Sequence, residues 1–389
     1  MNDSRALRLR GEGLLTAGKV ARGQDLLVAA GRVVGTIASS RAAPGYTLVP
    51  VKGLVAAGLV DMHCHGAFGV SLDALDPGAE PEALAHLRAS LWRRGVAAFV
   101  ASLPCLSPGH LTAQLDRLAP VAGRVEAGRA TLIGVHLEGP YLSPARRGAH
   151  APENLRSPDA AEVGAWLDRH PGLVRMVTLA PELEGGDAVV QAVRLRGAVV
   201  AIGHSDASAA EAERAFALGV RHATHLWNAM SPLAHRAPGV VGAVLTSATV
   251  TAELVCDGHH LDPRVAALTV RQLGPHRTVL VTDAMAAAGL GDGAYRLGDL
   301  EVTVGGGVAR APDGALAGST LMLDTAVRNV VAWGAATVPW AHAMASAVPA
   351  RVVAAEGFGA LAEGSVAALV SVGEDGSVEP IDALFVDQG

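Results

Sequence analysis

The sequence predicts an α/β protein whose core is a (β/α)8 barrel of the TIM type, with a small β-sandwich domain built from both chain ends. Three observations predict it. After Gly53, eight apolar runs of strand length recur, each followed by a longer alanine-rich stretch with helical polar periodicity. Acids and imidazoles stand at the far ends of those runs, where barrel enzymes carry their catalytic groups. Both termini read differently, as short strands broken by glycine turns.

Taken in order, ALRLR, DLLVAAG, RVVGTIA and YTLVPV precede Gly53, with no helix of useful length among them. The eight runs are GLVDMHCH (58–65), AAFVASL (97–103), ATLIGVHLEG (130–139), LVRMVTLA (173–180), GAVVAIGH (197–204), RHATHL (221–226), VTAELVCD (250–257) and RTVLVTD (277–283). Continuous apolar runs alternating with helices mark strands buried on both faces of a parallel sheet. Eight of them suit a barrel, and a doubly wound open sheet stays possible. The tail FGALAEGSVAALVSVGEDGSVEPI returns to the terminal texture. The expected division is 1–52 with 357–389 as the small β domain and 53–356 as a metal-dependent hydrolase barrel.

Composition narrows the function. With 50% hydrophobic and 17% charged residues and a net charge of -6, the chain reads as soluble and globular. A mean hydropathy of +0.32 comes mostly from alanine and valine, and no apolar stretch is long enough to span a bilayer as a helix. The start, MNDSRALRLRGEG, lacks a signal-peptide core, and Cys64, Cys105 and Cys256 are few and widely spaced, so a cytoplasmic location is expected. Scattered arginines give no footprint for nucleic acid and the composition none for a membrane, which favours a small-molecule partner. Only Lys19 and Lys52 among the 31 basic residues are lysines, so chemistry needing a Schiff-base or carboxylated lysine in the barrel is excluded.

The strand ends carry His63 and His65, Glu138, His204, His225, Asp257 and Asp283. His63 and His65 are two residues apart, so on a strand both project to the barrel axis. His136 and Glu138 share that spacing, and a buried unpaired carboxylate costs several kcal/mol, roughly. A divalent cation removes the problem. Imidazole and carboxylate donors suit zinc, with iron, cobalt or manganese as substitutes. Glu138, His204 and His225 form one candidate ion site, and His63, His65 and Asp283 a second, with Glu138 the candidate to bridge both. Cys256, alternating beside Asp257, reads as apolar filler. Asp283 can serve as ligand, as general base returning its proton to the leaving group, or as a helix N-cap for AMAAAG.

The segments GLVDMHCHG, GVHLEGPYLSPARRGAH, AIGHSDAS, THLWNAMSPLAHRAPG, DGHHLDP, VTDAMAAAG and LAGSTLML together resemble the N-acetylglucosamine-6-phosphate deacetylases of the amidohydrolase superfamily. The resemblance spans the chain. It implies one or two divalent ions per subunit, zinc foremost, with Glu138, His204 and His225 on the catalytic ion, His63 and His65 on a second, and Asp283 as acid/base. It implies a phosphorylated amino sugar as substrate, contacted by Ala149, Asn228, Ala229, Arg236, His260, Leu316, Ala317 and Gly318, and a homodimer in which a loop of one subunit completes its neighbour's phosphate site. Arg236 and His260 are expected as a cationic pair for the phosphate, and His150 as a catalytic group polarising the acetyl carbonyl. Trp227 stands where phenylalanine or tyrosine precedes NAM in the family, a departure expected to reshape the sugar pocket.

The implied reaction is hydrolysis of the N-acetyl group of N-acetylglucosamine 6-phosphate to glucosamine 6-phosphate and acetate. The alternatives are N-acetylgalactosamine 6-phosphate or another N-acyl substrate, as in a D-aminoacylase. Dihydroorotase-like and hydantoinase-like chemistry is disfavoured by the missing barrel lysine, and a non-catalytic scaffold by the presence of every strand-end ligand.

Overall fold

A computed structural model describes residues 6–75, 78 and 80–382 of the chain, so residues 1–5 and 383–389 at the two ends of the expected β domain lie outside the described residues. Eight parallel strands form one sheet. They are β1 (Leu59–Cys64), β2 (Val96–Leu103), β3 (Thr131–Glu138), β4 (Val174–Leu179), β5 (Val199–Ile202), β6 (His222–Ala223), β7 (Thr251–Val255) and β8 (Thr278–Val281). Each pairs with the next in sequence. The sheet then closes on itself, because Cys64 bridges Ala284 in parallel and the Asp283 N–H donates to the His63 carbonyl at 2.9 Å. Closure decides for the barrel over the doubly wound sheet.

The apolar runs become strands because the barrel buries both their faces, as in β2 and β3, where every residue is buried. Three of the helices between them start on side-chain caps. Asp159 accepts the N–H groups of Ala161 and Glu162, Ser208 and Glu211 form a capping box, and Asp262 caps a helix that opens on Pro263.

Runs five and six yield shorter strands than their apolar lengths suggest. His204 turns out of the extended region at φ 48° and His225 at φ 28°, so the backbone leaves the sheet where the polar residues begin. Among the described residues no helix is long and apolar enough to cross a membrane.

Both chain ends contribute to the small sheets. One has the order 32–38, 24–29, 6–10, 47–50, and the other 378–380, 369–372, 54–57, 13–16, 19–21. Their shared core joins Leu9, Leu26 and Val55 to Leu369 and Ile381. The strand Leu54–Ala57, which follows Gly53, pairs with Gly13–Leu15 and with Leu369–Val372, so the chain leaves the small sheets only at Gly58. His342 supports the junction, its Nε2 donating to the Ala57 carbonyl at 2.9 Å. A three-stranded sheet unforeseen in the sequence, Gly293–Leu297, Leu300–Gly305 and Val308–Arg310, follows β8, and its first turn reaches over the mouth of the barrel.

Candidate active site

His65, Glu138, His204, His225 and Asp283 line one cavity of about 340 Å³ at the C-terminal mouth of the barrel, and His63 and Asp257 are not part of its lining. Glu138 at the end of β3 is its centre. Glu138 Oε1 lies 2.9 Å from His225 Nε2 and 3.1 Å from His204 Nε2, which are 3.1 Å from each other. Its other oxygen, Oε2, lies 3.2 Å from His65 Nε2 and 3.8 Å from His63 Nε2. Those two nitrogens are 3.1 Å apart and within 3.4 Å of Asp283 Oδ1. The donor atoms thus fall into two groups, Glu138 with His204 and His225, and His63 and His65 with Asp283.

Hydrogen bonds behind the rings fix which nitrogen faces the centre. His204 Nδ1 meets the Arg146 carbonyl at 2.9 Å, His65 Nδ1 the Ser102 carbonyl at 3.1 Å, and His63 Nδ1 the Glu253 carboxylate at 2.9 Å. Carbonyl and carboxylate oxygens only accept, so each Nδ1 carries a proton, and each Nε2, once free of any proton of its own, turns a lone pair inward. Lone pairs 3.1 Å apart repel unless a cation lies between them. A tetrahedral ion with nitrogens at about 2.0–2.1 Å sets them roughly 3.3 Å apart, so both groups fit a divalent ion after small adjustments.

The charges agree. Burial pushes the Glu138 carboxyl up, but His63 and the bonds from His204 and His225 hold it well below its usual range. Burial likewise opposes ionisation of Asp283, yet His63, His65 and His225 bring it down to about 2. Burial disfavours a charged His65, and Asp283 and Glu138 outweigh it, raising the ring to about 9. Ionised carboxylates beside imidazoles that hold protons strongly describe a site short of positive charge. His204, His225 and Asp283 all hold positive φ without being glycine, local strain of the kind that gathers at functional sites.

His150 faces the same cavity in the opposite tautomer. Its Nδ1 accepts the Cys105 N–H at 3.2 Å, so its Nε2 bears the proton, 3.3 Å from His204 Nε2 and 3.5 Å from Glu138 Oε2. Burial, followed by the neighbouring His204, lowers this ring to about 3 and keeps it neutral. It is built to donate a hydrogen bond there and not to ligate.

Ala149, Asn228, Ala229, His260, Leu316 and Gly318 line the cavity, whereas Ala317 and Arg236 do not. Ala317 is fully buried and donates its N–H to the Ala309 carbonyl. Arg236 is exposed on a turn that Ala234 and Ala237 close by reciprocal backbone bonds. His260 commits Nδ1 to Asp257 at 2.7 Å and brings Nε2 to 4.0 Å from Asp283 Oδ2, so it stands beside the acid/base candidate, away from any pairing with Arg236 in the same chain. Trp227 turns its Nε1 to Thr269 at 2.9 Å, packs on the core and does not line the cavity. His136 sits one layer deeper, bonded to Ser102 at 2.9 Å and Thr178 at 2.7 Å.

Residues the motif reading passed over complete the site. Asp61, two residues before His63, accepts the Thr282 hydroxyl at 2.6 Å and ties β1 to β8. Glu253 stands inside β7 four residues before Asp257, an even spacing that marked it as axis-facing. Arg146, Cys105 and the hairpin residues Leu297, Gly298 and Asp299 line the cavity with no strand-end signal.

A closed parallel barrel carrying two convergent imidazole and carboxylate groups at its C-terminal mouth defines a barrel of the metal-dependent hydrolase class. A sequence profile described as the Amidohydrolase family matches residues 54–387. The chain belongs to this family. It is 38% identical over 80% of its length to the N-acetylgalactosamine-6-phosphate deacetylase of Escherichia coli O157:H7, covering 82% of that protein. It is 34% identical over 76% of its length to the N-acetylglucosamine-6-phosphate deacetylase of Bacillus subtilis, covering 75% of it. Among solved structures, an N-acetyl-D-glucosamine-6-phosphate deacetylase mutant of Mycobacterium smegmatis in complex with N-acetyl-D-glucosamine-6-phosphate superposes with a TM-score of 0.87 at 35% identity, over 96% of this chain and 97% of that one.

Proposed function

We propose that this chain hydrolyses the N-acetyl group of N-acetylglucosamine 6-phosphate, giving glucosamine 6-phosphate and acetate. The observation that carries the reading is Glu138, one carboxylate whose two oxygens serve two donor groups around one cavity. The names of the relatives supply the substrate.

Glu138, His204 and His225 would hold the catalytic ion, zinc foremost and iron, cobalt or manganese as substitutes, with His63 and His65 holding a second. When bound, such an ion supplies Lewis-acid polarisation of the acetyl carbonyl and makes a nearby water more acidic. The chain does the rest. Asp283, ionised and facing the cavity, takes the proton of the attacking water and returns it to the departing amine. His150 donates Nε2–H toward the carbonyl oxygen as the acetyl carbon becomes tetrahedral. His260 orients Asp283 and the sugar, and Ala149, Asn228, Ala229 and the 316–318 segment cradle the sugar. Arg236, exposed and outside its own cavity, suits a phosphate contact delivered across a homodimer. The cytoplasm, where phosphorylated sugars are made and kept, is the proposed location.

The N-acetylgalactosamine epimer is the second reading, favoured by the 38% identity to the deacetylase of that name. Acetate release from both phosphorylated epimers, beside unphosphorylated N-acetylglucosamine and chelator-treated protein, separates them. Chelator-sensitive turnover of the glucosamine derivative in preference to its epimer supports the proposal. Turnover of neither by metal-replete protein overturns it.

A further inference from the structure

Glu253 is fully buried in the interior of β7, below the ligand layer. Its Oε2 takes two hydrogen bonds, from His63 Nδ1 at 2.9 Å and from the His225 backbone N–H at 3.0 Å. Its Oε1 meets His222 Nε2 at 3.2 Å, and His222 Nδ1 reaches the Thr251 hydroxyl at 2.6 Å. The two groups meeting at Oε2 belong to different ion sites. His63 stands with His65 and Asp283, and His225 with Glu138 and His204.

We propose that Glu253 is a positioning residue that sets both ion sites at once through a single carboxylate oxygen. The inference rests on the metal reading of the site and goes beyond it by assigning a residue that touches neither ion nor substrate. On one side, the carboxylate fixes the His63 ring with its lone pair inward and makes it a stronger donor. On the other, it satisfies a backbone N–H at φ 28°, a conformation that persists only where surrounding bonds impose it. His222 and Thr251 brace the carboxylate from behind, so it cannot rotate toward one partner and release the other. Linked in this way, the two sites should weaken together when the oxygen is displaced.

Reach and charge are separable here. Glu253→Gln keeps the length, and its amide oxygen can occupy the place of Oε2 and accept both bonds while the charge is lost. Glu253→Asp keeps the charge and withdraws the oxygens by one carbon–carbon bond, about 1.5 Å. Metal-stripped wild-type protein and both variants are titrated with cobalt(II), the visible spectrum reporting occupancy and coordination of each site, while thermal melting of the cobalt-free proteins reads folding.

The expected result is that Glu253→Gln binds two cobalt ions with the wild-type spectrum and affinities within about tenfold, whereas Glu253→Asp loses about 10–100-fold at both sites with an altered spectrum. Wild-type affinity in Glu253→Asp, loss at one site alone, or equal loss in Glu253→Gln would overturn the proposal. A wild type that takes up no cobalt would overturn the metal reading and this role with it. A wild type that binds two ions and releases no acetate would sink the deacetylase reading alone, and the cobalt comparison would still decide the role of Glu253.

Discussion

Asp283 donates its backbone N–H to the carbonyl of His63 at 2.9 Å, and the side chains of the same two residues approach to 3.4 Å. The bond that closes the barrel between β8 and β1 is therefore also the bond that places the acid/base candidate beside the imidazole pair. Asp61 and Thr282 repeat the tie one step deeper. The acid/base candidate sits at the seam of the barrel, where first and last strands meet.

Asp283→Asn should keep the fold and the ion held by Glu138, His204 and His225, since the amide preserves shape and none of those three ligands is altered. A proton acceptor is lost, so kcat for acetate release should fall by about 10²–10⁴-fold. Metal analysis beside steady-state kinetics checks this, and a fully active variant would remove Asp283 from the reaction.

His150 and His204 should separate by readout although their Nε2 atoms are 3.3 Å apart. His150→Gln should retain metal and lose kcat, because Nε2 of His150 carries a proton and cannot ligate. His204→Gln should lose the metal itself. Ion content of the purified variants distinguishes the two, and metal loss in His150→Gln would contradict the tautomer argument.

Chelation should lower the melting temperature as well as activity. Ion binding stabilises the folded chain by about 2.7 kcal/mol at a free concentration one hundred times Kd. Zinc or cobalt added back should restore both melting temperature and turnover, which calorimetry with and without the ion measures.

Arg236→Ala should raise KM for the phosphorylated sugar by about 10–100-fold, the worth of a lost charge-assisted hydrogen bond. Turnover of the unphosphorylated sugar should not change. Mixing Arg236→Ala with Asp283→Asn should then regain activity, because a mixed dimer would contain one site with both residues intact. Mixed protein no more active than its parents would argue against delivery across a dimer.

Asp25 in the small sheets should govern stability independently of catalysis. It is fully buried and bonded to Arg8, to Arg10 at 2.9 Å and to Ser39 at 2.6 Å. Burial pushes its carboxyl up, and the bonds from Arg10, Ser39 and Arg8 outweigh it and hold the group below its usual range. A lowered folded pKa makes the contribution full above the unfolded value of about 3.9 and lost as pH falls through the folded value. Asp25→Asn should cost about 3 kcal/mol at pH 7 by leaving Arg8 buried without a counter-ion. Denaturant midpoints at pH 7 and at pH 3 should show the gap to wild type shrinking on acidification.

The eight barrel strands were legible because burial on both faces leaves an apolar run that local sequence cannot disguise, and the site was legible because polar residues interrupt those runs at their ends. Leu54–Ala57 was less so: an apolar strand of the small sheets directly before Gly58 has the same texture as the barrel strand after it, and only its partners at 13–15 and 369–372 tell them apart. The 293–310 sheet is made of short strands between glycine turns, and only Leu300–Gly305 alternates buried with exposed residues, at Val302 and Val304, so it offers little pattern beside the long apolar runs. Leu297 and Asp299 enter the cavity from it by tertiary placement alone.

What the sequence determined by itself is the set of donors, His63, His65, Glu138, His204, His225 and Asp283, because strand periodicity and chemical type are local properties. What only the tertiary structure decided is their division of labour. The tautomer of His150, opposite to that of His63, His65 and His204, depends on whether the atom behind Nδ1 is an N–H or an oxygen. That atom belongs to a residue distant in the chain. The convergence of His63 and His225 on Glu253, 190 and 28 residues away, exists only once the barrel has closed and brought β1, β6 and β7 around one buried carboxylate.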